Sequence, residues 1–288
     1  MNYYKNFDFR EAERLIRLAI KEDRGVGDIT SDLLIPEKSV SKAELLIKED
    51  GIIAGLEIFK LVFSIIDKKI KIKLFRKDGD KVKKGETAAL ISGNTKNLLL
   101  GERTGLNILQ RMSGIATQTG LMIKNLNNKS IKIIDTRKTT PNFRIFEKTA
   151  VIIGGGKNHR SGLYDMILIK DNHIEANGGI SGTLKELRKK KAKVKVKTEI
   201  EVKNLDELKK VMIEGEGLID RIMLDNFKIS DIEKAVKING KKYETELSGG
   251  ISLKNINKYR NIKGIDYISS GSITHSVKSL DISFNFIT

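Results

Sequence analysis

Short apolar runs in the second half of the chain end repeatedly in charged, polar or glycine residues. These ends are Asp135-Thr136-Arg137-Lys138, Lys170, Glu201, Asp225, Ser248-Gly249-Gly250 and Ser270-Gly271-Ser272. From Glu201 onward they recur every ~23 residues, about the length of one strand followed by one helix. Core packing does not require charge where a strand ends, and equal steps place these ends on one rim. We therefore expect them to form a single active-site face.

The rim residues divide into a cationic and an anionic group. The cationic group, which suits carboxylates or phosphates, consists of Arg137, Lys138, His159, Arg160 and Lys170. Glu201 and Asp225 are anionic and could coordinate Mg²⁺ or accept hydrogen bonds from sugar hydroxyls. The glycine-containing ends at 248–250 and 270–272 offer main-chain N–H groups, placed just before helices, that can hold a phosphate. Together these types predict a phosphorylated sugar, a carboxylate ligand and Mg²⁺.

Each of these features also has a purely structural interpretation. A glycine pair after a strand is commonly only a turn, and Glu201 and Asp225 could form structural ion pairs. His159 and Arg160 could cap a helix. Only their joint arrangement on one rim favours a functional site.

Strand and helix patterns alternate from residue 131 onward, which predicts a parallel sheet covered by helices. The apolar runs lie at 131–135, 166–170, 194–201, 221–225, 243–248 and 265–270. Helix-like stretches at 183–190, 205–214, 230–238 and 253–259 separate most of them. The segment is shorter than the ~250 residues of a complete (β/α)₈ barrel. We expect an α/β fold with an incomplete barrel, and an open doubly wound sheet is the alternative.

The first half of the chain mixes helices with short strands. Helices are predicted at 8–22, 56–67 and 97–125, and strands at 43–48, 70–75 and 88–92. The polar turns at 77–86 are similar to those of biotin and lipoyl carrier domains. No acceptor lysine motif follows them, which favours a structural turn.

Composition narrows the function classes. The formal net charge is +17, which suits nucleic acid or small polyanions. The lysines are scattered along amphipathic stretches, aromatic residues make up 6%, and there is no Trp, so a nucleic-acid binder is not favoured.

The absence of cysteine excludes disulfides and cysteine chemistry and fits a cytoplasmic protein. No apolar run reaches the ~20 residues of a membrane helix, and the N-terminus lacks a signal-peptide pattern.

Several motifs, in one order, resemble those of the quinolinate phosphoribosyltransferase family. In the second half they are Asp135-Thr136-Arg137-Lys138-Thr139-Thr140-Pro141, Gly156-Lys157-Asn158-His159-Arg160, Lys170-Asp171-Asn172-His173, Glu199-Ile200-Glu201-Val202, Leu224-Asp225-Asn226-Phe227, Ser248-Gly249-Gly250-Ile251 and Thr274-His275-Ser276. In the first half they include Glu22-Asp23, Gly27-Asp28, Gly101-Glu102-Arg103-Thr104 and Ser113-Gly114-Ile115-Ala116-Thr117. The resemblance covers nearly the whole chain. One small departure is Asn142-Phe143, which we expect to shift a helix start without removing chemistry.

The resemblance implies a two-domain subunit. An N-terminal α/β sandwich over residues 1–112 would precede an incomplete α/β barrel over residues 113–288, and the last ~15 residues would pack on the first domain. The family forms homodimers or homohexamers, in which each site takes an arginine from the neighbouring subunit. By motif position this arginine is Arg103.

The resemblance also implies a reaction. The phosphoribosyl group of 5-phosphoribosyl 1-pyrophosphate would pass to quinolinate with decarboxylation, giving nicotinate mononucleotide, pyrophosphate and CO₂ in NAD biosynthesis. The pyridine nitrogen would be the nucleophile, so no protein nucleophile is needed.

The family motifs give each rim residue an expected role. The two carboxylates of quinolinate would be bound by Arg103, Arg137, His159 and Arg160. Lys138 and Lys170 would hold phosphate or pyrophosphate oxygens, and Thr136 belongs to the same binding segment. Glu201 and Asp225 would bind ribose hydroxyls, directly or through Mg²⁺, and support positive charge on the ribose. The 5-phosphate would lie on Ser248, Gly249, Gly250, Ser270, Gly271 and Ser272. Catalytic roles fall to Lys138, Lys170, Glu201 and Asp225.

The alternative within this fold is a paralogous phosphoribosyltransferase-like protein of the molybdenum-transport type, acting on another acid. The apparently complete carboxylate-binding set favours quinolinate. A nucleic-acid binder would leave Glu201 and Asp225 unexplained, because without a metal they would repel phosphates.

Overall fold

The computed structural model describes residues 3–287, and these form two compact units. The first unit comprises the described residues up to Gly120, then Thr139–Gly155 and the residues from Ile273 on. The second comprises Leu121–Lys138 and Gly156–Ser272. The helix α4 (Thr95–Leu126) begins in the first unit and ends in the second. The predicted domain boundary between residues 112 and 113 falls within this helix.

The first unit is built on an antiparallel four-stranded sheet. Its elements are α1 (Phe9–Arg24), α2 (Ile29–Leu34), β1 (Val40–Ile47), β2 (Gly51–Ile52), α3 (Leu56–Ile66), β3 (Lys71–Leu74), β4 (Lys81–Val82), β5 (Thr87–Asn94), most of α4, α5 (Arg144–Ile153) and β12 (Ile282–Ile287). The strand order is β12-β1-β5-β3, so the end of the chain pairs with β1. A separate two-stranded ladder joins β2 and β4.

Alternating residues of β1 bury one face of this sheet. Ala43, Leu45 and Ile47 lie in one core with Phe59 and Phe63 of α3. Leu98, Leu106 and Leu109 of α4, a helix predicted at 97–125, join the same core. The N-terminal α/β layer expected from the sequence is therefore present.

Local polar contacts explain two features of this unit. The Asp78 side chain accepts hydrogen bonds from the main-chain N–H groups of Gly55 (2.7 Å) and Leu56 (2.9 Å), where α3 begins. The carrier-like turn therefore serves to cap a helix. Asn142 adopts a left-handed φ of 59°, and α5 begins two residues later at Arg144. No helix within residues 3–287 is both long and apolar enough to cross a bilayer.

The second unit contains a six-stranded parallel sheet. Its strands are β6 (Lys132–Ile134), β7 (Ile167–Ile169), β8 (Thr198–Val202), β9 (Arg221–Asp225), β10 (Glu244–Ser248) and β11 (Tyr267–Ser269). Its helices are α6 (Asp171–Ala176), α7 (Ile180–Lys190), α8 (Leu205–Glu214) and α9 (Ile229–Asn239), with α10 (Ser272–His275) beginning at its last residue. Short 3₁₀ turns lie at Lys191–Lys193 and Ile256–Tyr259.

The strand order shows that this sheet is an incomplete barrel. The order is β6-β11-β10-β9-β8-β7, which follows the chain in one direction and then returns to β6. A doubly wound sheet would instead reverse its strand order at an internal point. Within the described residues no pairing joins β6 to β7, so the barrel stays open there. The expected incomplete barrel is confirmed, and the open doubly wound alternative is wrong.

A short extended segment lies along the free edge of β6. The Lys157 N–H donates to the Ile133 carbonyl (2.9 Å), and the Asp135 N–H donates to the Lys157 carbonyl (3.2 Å). Because this segment runs parallel to β6, it brings the next residues, His159 and Arg160, to the carboxyl end of the sheet.

Gly114 in α4 tests the packing of the first unit. A Cβ atom there would lie 2.3 Å from the Lys278 carbonyl oxygen and 3.0 Å from the Ser279 Cα. Alanine normally favours a helix over glycine by ~1 kcal/mol, but main-chain atoms cannot move aside. We expect Gly114→Ala to lower the free energy of unfolding by about 2 kcal/mol in urea titrations followed by circular dichroism. Gly27→Ala, whose Cβ would meet only Asp32 at 3.6 Å, is the control. Equal stability of Gly114→Ala and the unaltered chain would contradict the packing.

Candidate active site

The registers of the parallel sheet bring the carboxyl ends of its strands to one edge. Ser248 lies opposite Asp225, Ile169 opposite Ile200, and Ser269 opposite Ile134. Consequently the residues that end or follow the strands, on which the rim prediction rests, share this edge. In α/β barrels it is the edge that carries the active site.

Two carboxylates and an ammonium group lie together at β7, β8 and β9. The Lys170 Nζ atom is 3.6 Å from the Glu201 Oε2 atom, and Glu201 is buried. Burial raises the pKa of Glu201, and the Asp225 and Asp171 charges raise it further, whereas Lys170 lowers it. The Glu201 Oε2 atom has no hydrogen-bond partner among the described residues. This pair of carboxylates is therefore suited to hydroxyl donors or a hard cation.

The main chain of Lys170 is fixed by His173, a residue to which the sequence assigned no role. The Lys170 N–H donates to the His173 Nδ1 atom (2.9 Å) at the start of α6. Next to it, the Lys203 Nζ atom lies 3.3 Å from the Asp171 Oδ2 atom. These contacts hold the segment that presents the Lys170 ammonium group to Glu201.

The glycine loop after β10 packs against the end of β9. The Asn226 N–H donates to the Ser248 carbonyl (2.9 Å), and the Asn226 amide donates to the Asp225 Oδ2 atom (2.7 Å). Gly249 has a φ of +107°, and a Cβ atom there would lie 2.3 Å from the Asn226 Oδ1 atom. Only glycine fits this position, so the loop at 248–250 can approach Asp225 closely.

The loop after β11 lies beside the glycine loop. The Ser270 hydroxyl donates to the Ile251 carbonyl (2.6 Å) and is 2.7 Å from the Ser272 hydroxyl. The expectation that both loops precede helices needs correction. A 3₁₀ turn at Ile256–Tyr259 replaces the helix expected at 253–259, and α10 is only four residues long. Phosphate binding here would therefore depend on loop N–H and hydroxyl groups.

Arg137 follows β6, and Arg160 follows the extended segment along the edge of β6. Arg160 is buried, and its Nη1 atom donates to the Met166 carbonyl (3.3 Å). Burial lowers the pKa of the Arg160 guanidinium, and the charge of Arg137 lowers it further. The two positive charges at this end of the edge suit a multiply charged anion. Lys138 follows on the exposed side, and its N–H donates to the Thr136 hydroxyl (3.0 Å).

His159, which the sequence predicts among the carboxylate-binding groups, has a buried ring. Its Nε2 atom lies 2.9 Å from the Glu199 Oε2 atom, and its Nδ1 atom accepts a hydrogen bond from the Arg160 N–H (2.7 Å). The ring therefore joins buried carboxylates to the segment that carries Arg160.

The interior partners of His159 were not assigned roles from the sequence. Glu199 and Glu246 are completely buried, and Arg221 contacts Glu246 (Nη1 to Oε2, 3.1 Å). The available signal was the alternation in the buried strand β8, where Glu199 and Glu201 are two residues apart and share a face. This cluster, of His159, Glu199, Arg221 and Glu246, is called the interior cluster below.

Arg103 lies in the first unit, on α4. Its side chain is 60% exposed, and its Nη2 atom is 3.9 Å from the Glu102 Oε1 atom. An exposed arginine with so weak an intramolecular ion pair is available to a ligand or to a second subunit.

The interior cluster gives folding stability a specific pH dependence. Burial and, to a smaller extent, the charge of neighbouring Glu199 raise the pKa of Glu246 from 4.5 to about 8, although His159 and Arg221 act in the opposite direction. Glu246 thus binds its proton more tightly in the folded chain than in the unfolded chain. The stability is fully present below the unfolded pKa and is lost as the pH rises through the folded pKa.

We therefore expect Glu246→Gln to flatten the fall in the free energy of unfolding between pH 5.5 and pH 8.5, by at most about 1.4 kcal/mol per pH unit. Urea titrations at several pH values measure it. Glu233→Gln, which changes an exposed glutamate, is the control and should keep the wild-type slope. Identical slopes for Glu246→Gln and the unaltered chain would show that Glu246 is ionised at neutral pH.

Comparisons with known proteins agree with this architecture. Family models described as the N-terminal and C-terminal domains of quinolinate phosphoribosyl transferase match residues 28–113 and 115–285. The chain is 43% identical to a Bacillus subtilis protein named probable nicotinate-nucleotide pyrophosphorylase [carboxylating], over 96% of this chain and 93% of that protein. It is 40% identical to a mitochondrial quinolinate phosphoribosyltransferase [decarboxylating] 2b of Nicotiana tabacum, over 99% and 84% of the two chains.

A solved structure extends the likeness to the fold. The crystal structure of NadC from Streptococcus pyogenes superposes with a TM-score of 0.92 at 37% sequence identity, covering 99% of this chain and 100% of that one. Both family models are matched in chain order and together span most of the sequence. The chain belongs to the quinolinate phosphoribosyltransferase family.

Proposed function

We propose that this chain transfers the phosphoribosyl group of 5-phosphoribosyl 1-pyrophosphate to quinolinate and releases pyrophosphate and CO₂, forming nicotinate mononucleotide for NAD biosynthesis. The observation that carries the proposal is the shared edge of the barrel. It carries two arginines at its β6 end, Arg137 and Arg160, and two carboxylates, Glu201 and Asp225, at the ends of the neighbouring strands β8 and β9. A dicarboxylate and a polyhydroxyl phosphate need these opposite environments side by side.

Quinolinate would be oriented by the guanidinium pair. Its two carboxylates relieve the repulsion between Arg137 and Arg160, which makes binding of a dianion favourable. The phosphoribosyl ring would lie against Glu201 and Asp225, its 5-phosphate on the loops at 248–250 and 270–272. Lys138 and Lys170 would hold pyrophosphate or phosphate oxygens, with Thr136 supporting the Lys138 main chain.

Positioning and electrostatics would then carry the reaction. The lone pair of the pyridine nitrogen forms a bond to ribose C1 while the bond from C1 to the pyrophosphate oxygen breaks and its electron pair leaves with pyrophosphate. Positive charge that grows on the ribose is stabilised by the Glu201 and Asp225 carboxylates. The bond from the ring carbon next to nitrogen to its carboxylate then breaks. Its electron pair remains on that carbon, beside the positive nitrogen, until a proton from solvent replaces CO₂.

Glu201 and Asp225 also fit a magnesium ion. The buried, hydrogen-bond-free Glu201 Oε2 atom and a second carboxylate on the neighbouring strand are the oxygen donors that Mg²⁺ prefers. When bound, the ion would neutralise charge on pyrophosphate oxygens. Contact through bridging water is equally compatible with these two residues.

We further propose a homodimer, alone or within a hexamer, in which Arg103 completes the neighbouring site. Arg103 is exposed and held by only a weak ion pair. The first unit also exposes large apolar side chains on and beside α2, and these are Val26, Ile29, Leu33 and Leu34. Such side chains on one short segment are typical of a surface covered by another chain. The cytoplasm is the proposed location, since a chain without cysteine has no need of an oxidising compartment.

The substrate assignment is tested by direct assay. Purified protein with Mg²⁺, 5-phosphoribosyl 1-pyrophosphate and quinolinate should yield nicotinate mononucleotide and CO₂ in equal amounts, measured by chromatography and ¹⁴CO₂ release. Nicotinate, which lacks the second carboxylate, is the control and should turn over far more slowly. Turnover of nicotinate without turnover of quinolinate would reject the proposal. It would instead favour a paralogous phosphoribosyltransferase-like protein acting on another acid, an alternative that the family match does not favour.

If each active site takes Arg103 from the neighbouring subunit, two inactive variants should restore activity when their subunits are mixed. Arg103→Ala and Lys138→Ala should each be inactive as homodimers. After subunit exchange in an equal mixture, about a quarter of the sites combine an intact Lys138 with an intact neighbouring Arg103 and should regain activity. Arg14→Ala, at a comparably exposed arginine, should stay active. Proven exchange with no recovered activity would show that Arg103 does not act on the neighbouring site.

A further inference from the structure

The polypeptide passes from the second unit to the first at the ends of two strand-end loops. It does so directly after Lys138 and directly after Ser272. These residues close the segments at 136–138 and 270–272, to which the proposed function assigns anionic groups of the substrates. The residues that follow each segment belong to the first unit. Contacts within the first unit therefore fix the chain directly after both loops.

A buried ion pair of the first unit lies between helices α4 and α5. Glu147 of α5 is completely buried, and its Oε1 atom accepts hydrogen bonds from the Nε (3.0 Å) and Nη2 (2.8 Å) atoms of Arg111 on α4. Neither residue belongs to the strand-end edge, and the proposed reaction gives neither of them a role. Removing one member of a buried pair leaves the other charge uncompensated, which is strongly unfavourable. The pair is therefore a fixed point of the first unit.

Glu147 holds the chain that follows the first loop. Its Oε2 atom accepts a hydrogen bond from the Thr140 N–H (3.2 Å), and its Oε1 atom accepts one from the Thr140 hydroxyl (3.0 Å). Beside it, the Arg144 Nε atom donates to the Thr139 hydroxyl (2.8 Å). Residues 135–140 lie in neither a helix nor a strand, so side-chain contacts replace a regular hydrogen-bond pattern there. These two threonines are the first residues after the loop.

Arg111 holds the chain that follows the second loop. Its Nη1 atom donates to the Val277 carbonyl (3.1 Å), and its Nη2 atom donates to the Thr274 carbonyl. Thr274 lies in the four-residue helix α10, and the last carbonyls of a helix lack partners within it. A guanidinium can serve several acceptors at once because its donors form a rigid, planar fork, whereas a lysine offers a single nitrogen. Arg111 thus joins this segment to Glu147.

We propose that Arg111 and Glu147 form a positioning pair that couples the two loops. The carboxylate fixes the chain after 136–138, the guanidinium fixes the chain after 270–272, and the ion pair links the two. The inference rests on the proposed function in that these loops hold anionic groups of the two substrates. In this role neither Arg111 nor Glu147 contacts a substrate. A change at either member of the pair should therefore loosen both loops.

Amide hydrogen exchange, measured by mass spectrometry, tests the coupling without any substrate. Glu147→Gln keeps the shape of the side chain and removes its charge. The hydrogen bonds of Glu147 go to Arg111 and Thr140, so an effect on the second loop must pass through Arg111. We expect peptides covering 136–143 and 270–279 both to exchange at least about threefold faster in this variant. Arg111→Lys should give the same two increases.

Gln110→Ala is the matched control. Gln110 lies next to Arg111 on α4, and its Nε2 atom donates to the Ile282 carbonyl (2.7 Å) of β12. The control removes a side-chain bond to a main-chain carbonyl from the same helix, so it should speed exchange only around Ile282. An increase at 136–143 alone in Glu147→Gln, or at neither loop, would overturn the proposal. Faster exchange throughout the first unit would show general destabilisation and would overturn it as well.

A milder variant covers the case in which changes to the charged pair prevent folding. Thr140→Val removes one hydroxyl donor to Glu147 and leaves both charges in place. We expect a smaller rise in exchange in both peptides, because the lost bond helps to orient the carboxylate that holds Arg111. A rise confined to 136–143, or no rise, contradicts the coupling.

The kinetic consequence depends on the proposed function. Arg111→Lys and Glu147→Gln should each raise the KM for quinolinate and the KM for 5-phosphoribosyl 1-pyrophosphate at least about fivefold, whereas Gln110→Ala should leave both within about twofold of wild type. Folded variants with wild-type KM values, or with a change for one substrate only, would reject the positioning role. If quinolinate proves not to be the substrate, the exchange result still decides the coupling, because it requires no substrate.

Discussion

The Arg137 and Arg160 guanidinium groups repel each other at the strand-end edge, and Arg160 does so while largely removed from water. Two positive charges in a partly desolvated site are unfavourable without an anion. The fold must therefore hold both guanidinium groups in position. The other half of the edge carries negative groups, where burial and the charge of Asp225 raise the pKa of Glu201. A dicarboxylate relieves the first repulsion, and a cation or a row of hydroxyls relieves the second. The sign of the charge in each half of the edge thus determines which kind of group that half can bind.

The incomplete barrel supplies the rigidity that this arrangement needs. The parallel registers along the strand order β6-β11-β10-β9-β8-β7 align the strand ends. The extended segment at Lys157 lies on the outer edge of β6 and adds Arg160 to that side of the sheet. One layer lower, the interior cluster replaces apolar packing with four hydrogen-bonded polar side chains. Such a cluster is a poor way to stabilise a core, but it specifies orientation more strictly than apolar contacts do. Here it contacts the ring of His159, and that ring accepts a hydrogen bond from the Arg160 N–H.

The rim could be predicted from the sequence because its signal is local. Polar residues that end apolar runs at even steps reveal the carboxyl ends of parallel strands, and the apolar face of α4 is visible over its whole length. The incomplete barrel could also be predicted, because strand and helix patterns alternate over a segment that is too short for a complete barrel. Family motifs added Arg103, which no pattern in the chain explains.

Other features depend on contacts between residues distant in sequence. The pairing of β12 with β1 joins positions more than two hundred residues apart, and the contacts of the His159 ring involve Glu199 and Glu246 from two other strands. No local pattern in the sequence predicts that these two buried glutamates lie beside His159. The helix expected at 253–259 is instead a 3₁₀ turn at Ile256–Tyr259.

The proposed function requires one edge of the barrel to bind a dicarboxylate and a phosphorylated sugar side by side. A crystal structure of the chain with quinolinate and a non-reactive analogue of 5-phosphoribosyl 1-pyrophosphate measures this directly. We expect quinolinate carboxylates on Arg137 and Arg160, ribose hydroxyls or a bridging Mg²⁺ on Glu201 and Asp225, and the 5-phosphate on the loops at 248–250 and 270–272. Ligands bound away from this edge, or a sugar turned so that its hydroxyls face the arginines, would contradict this arrangement.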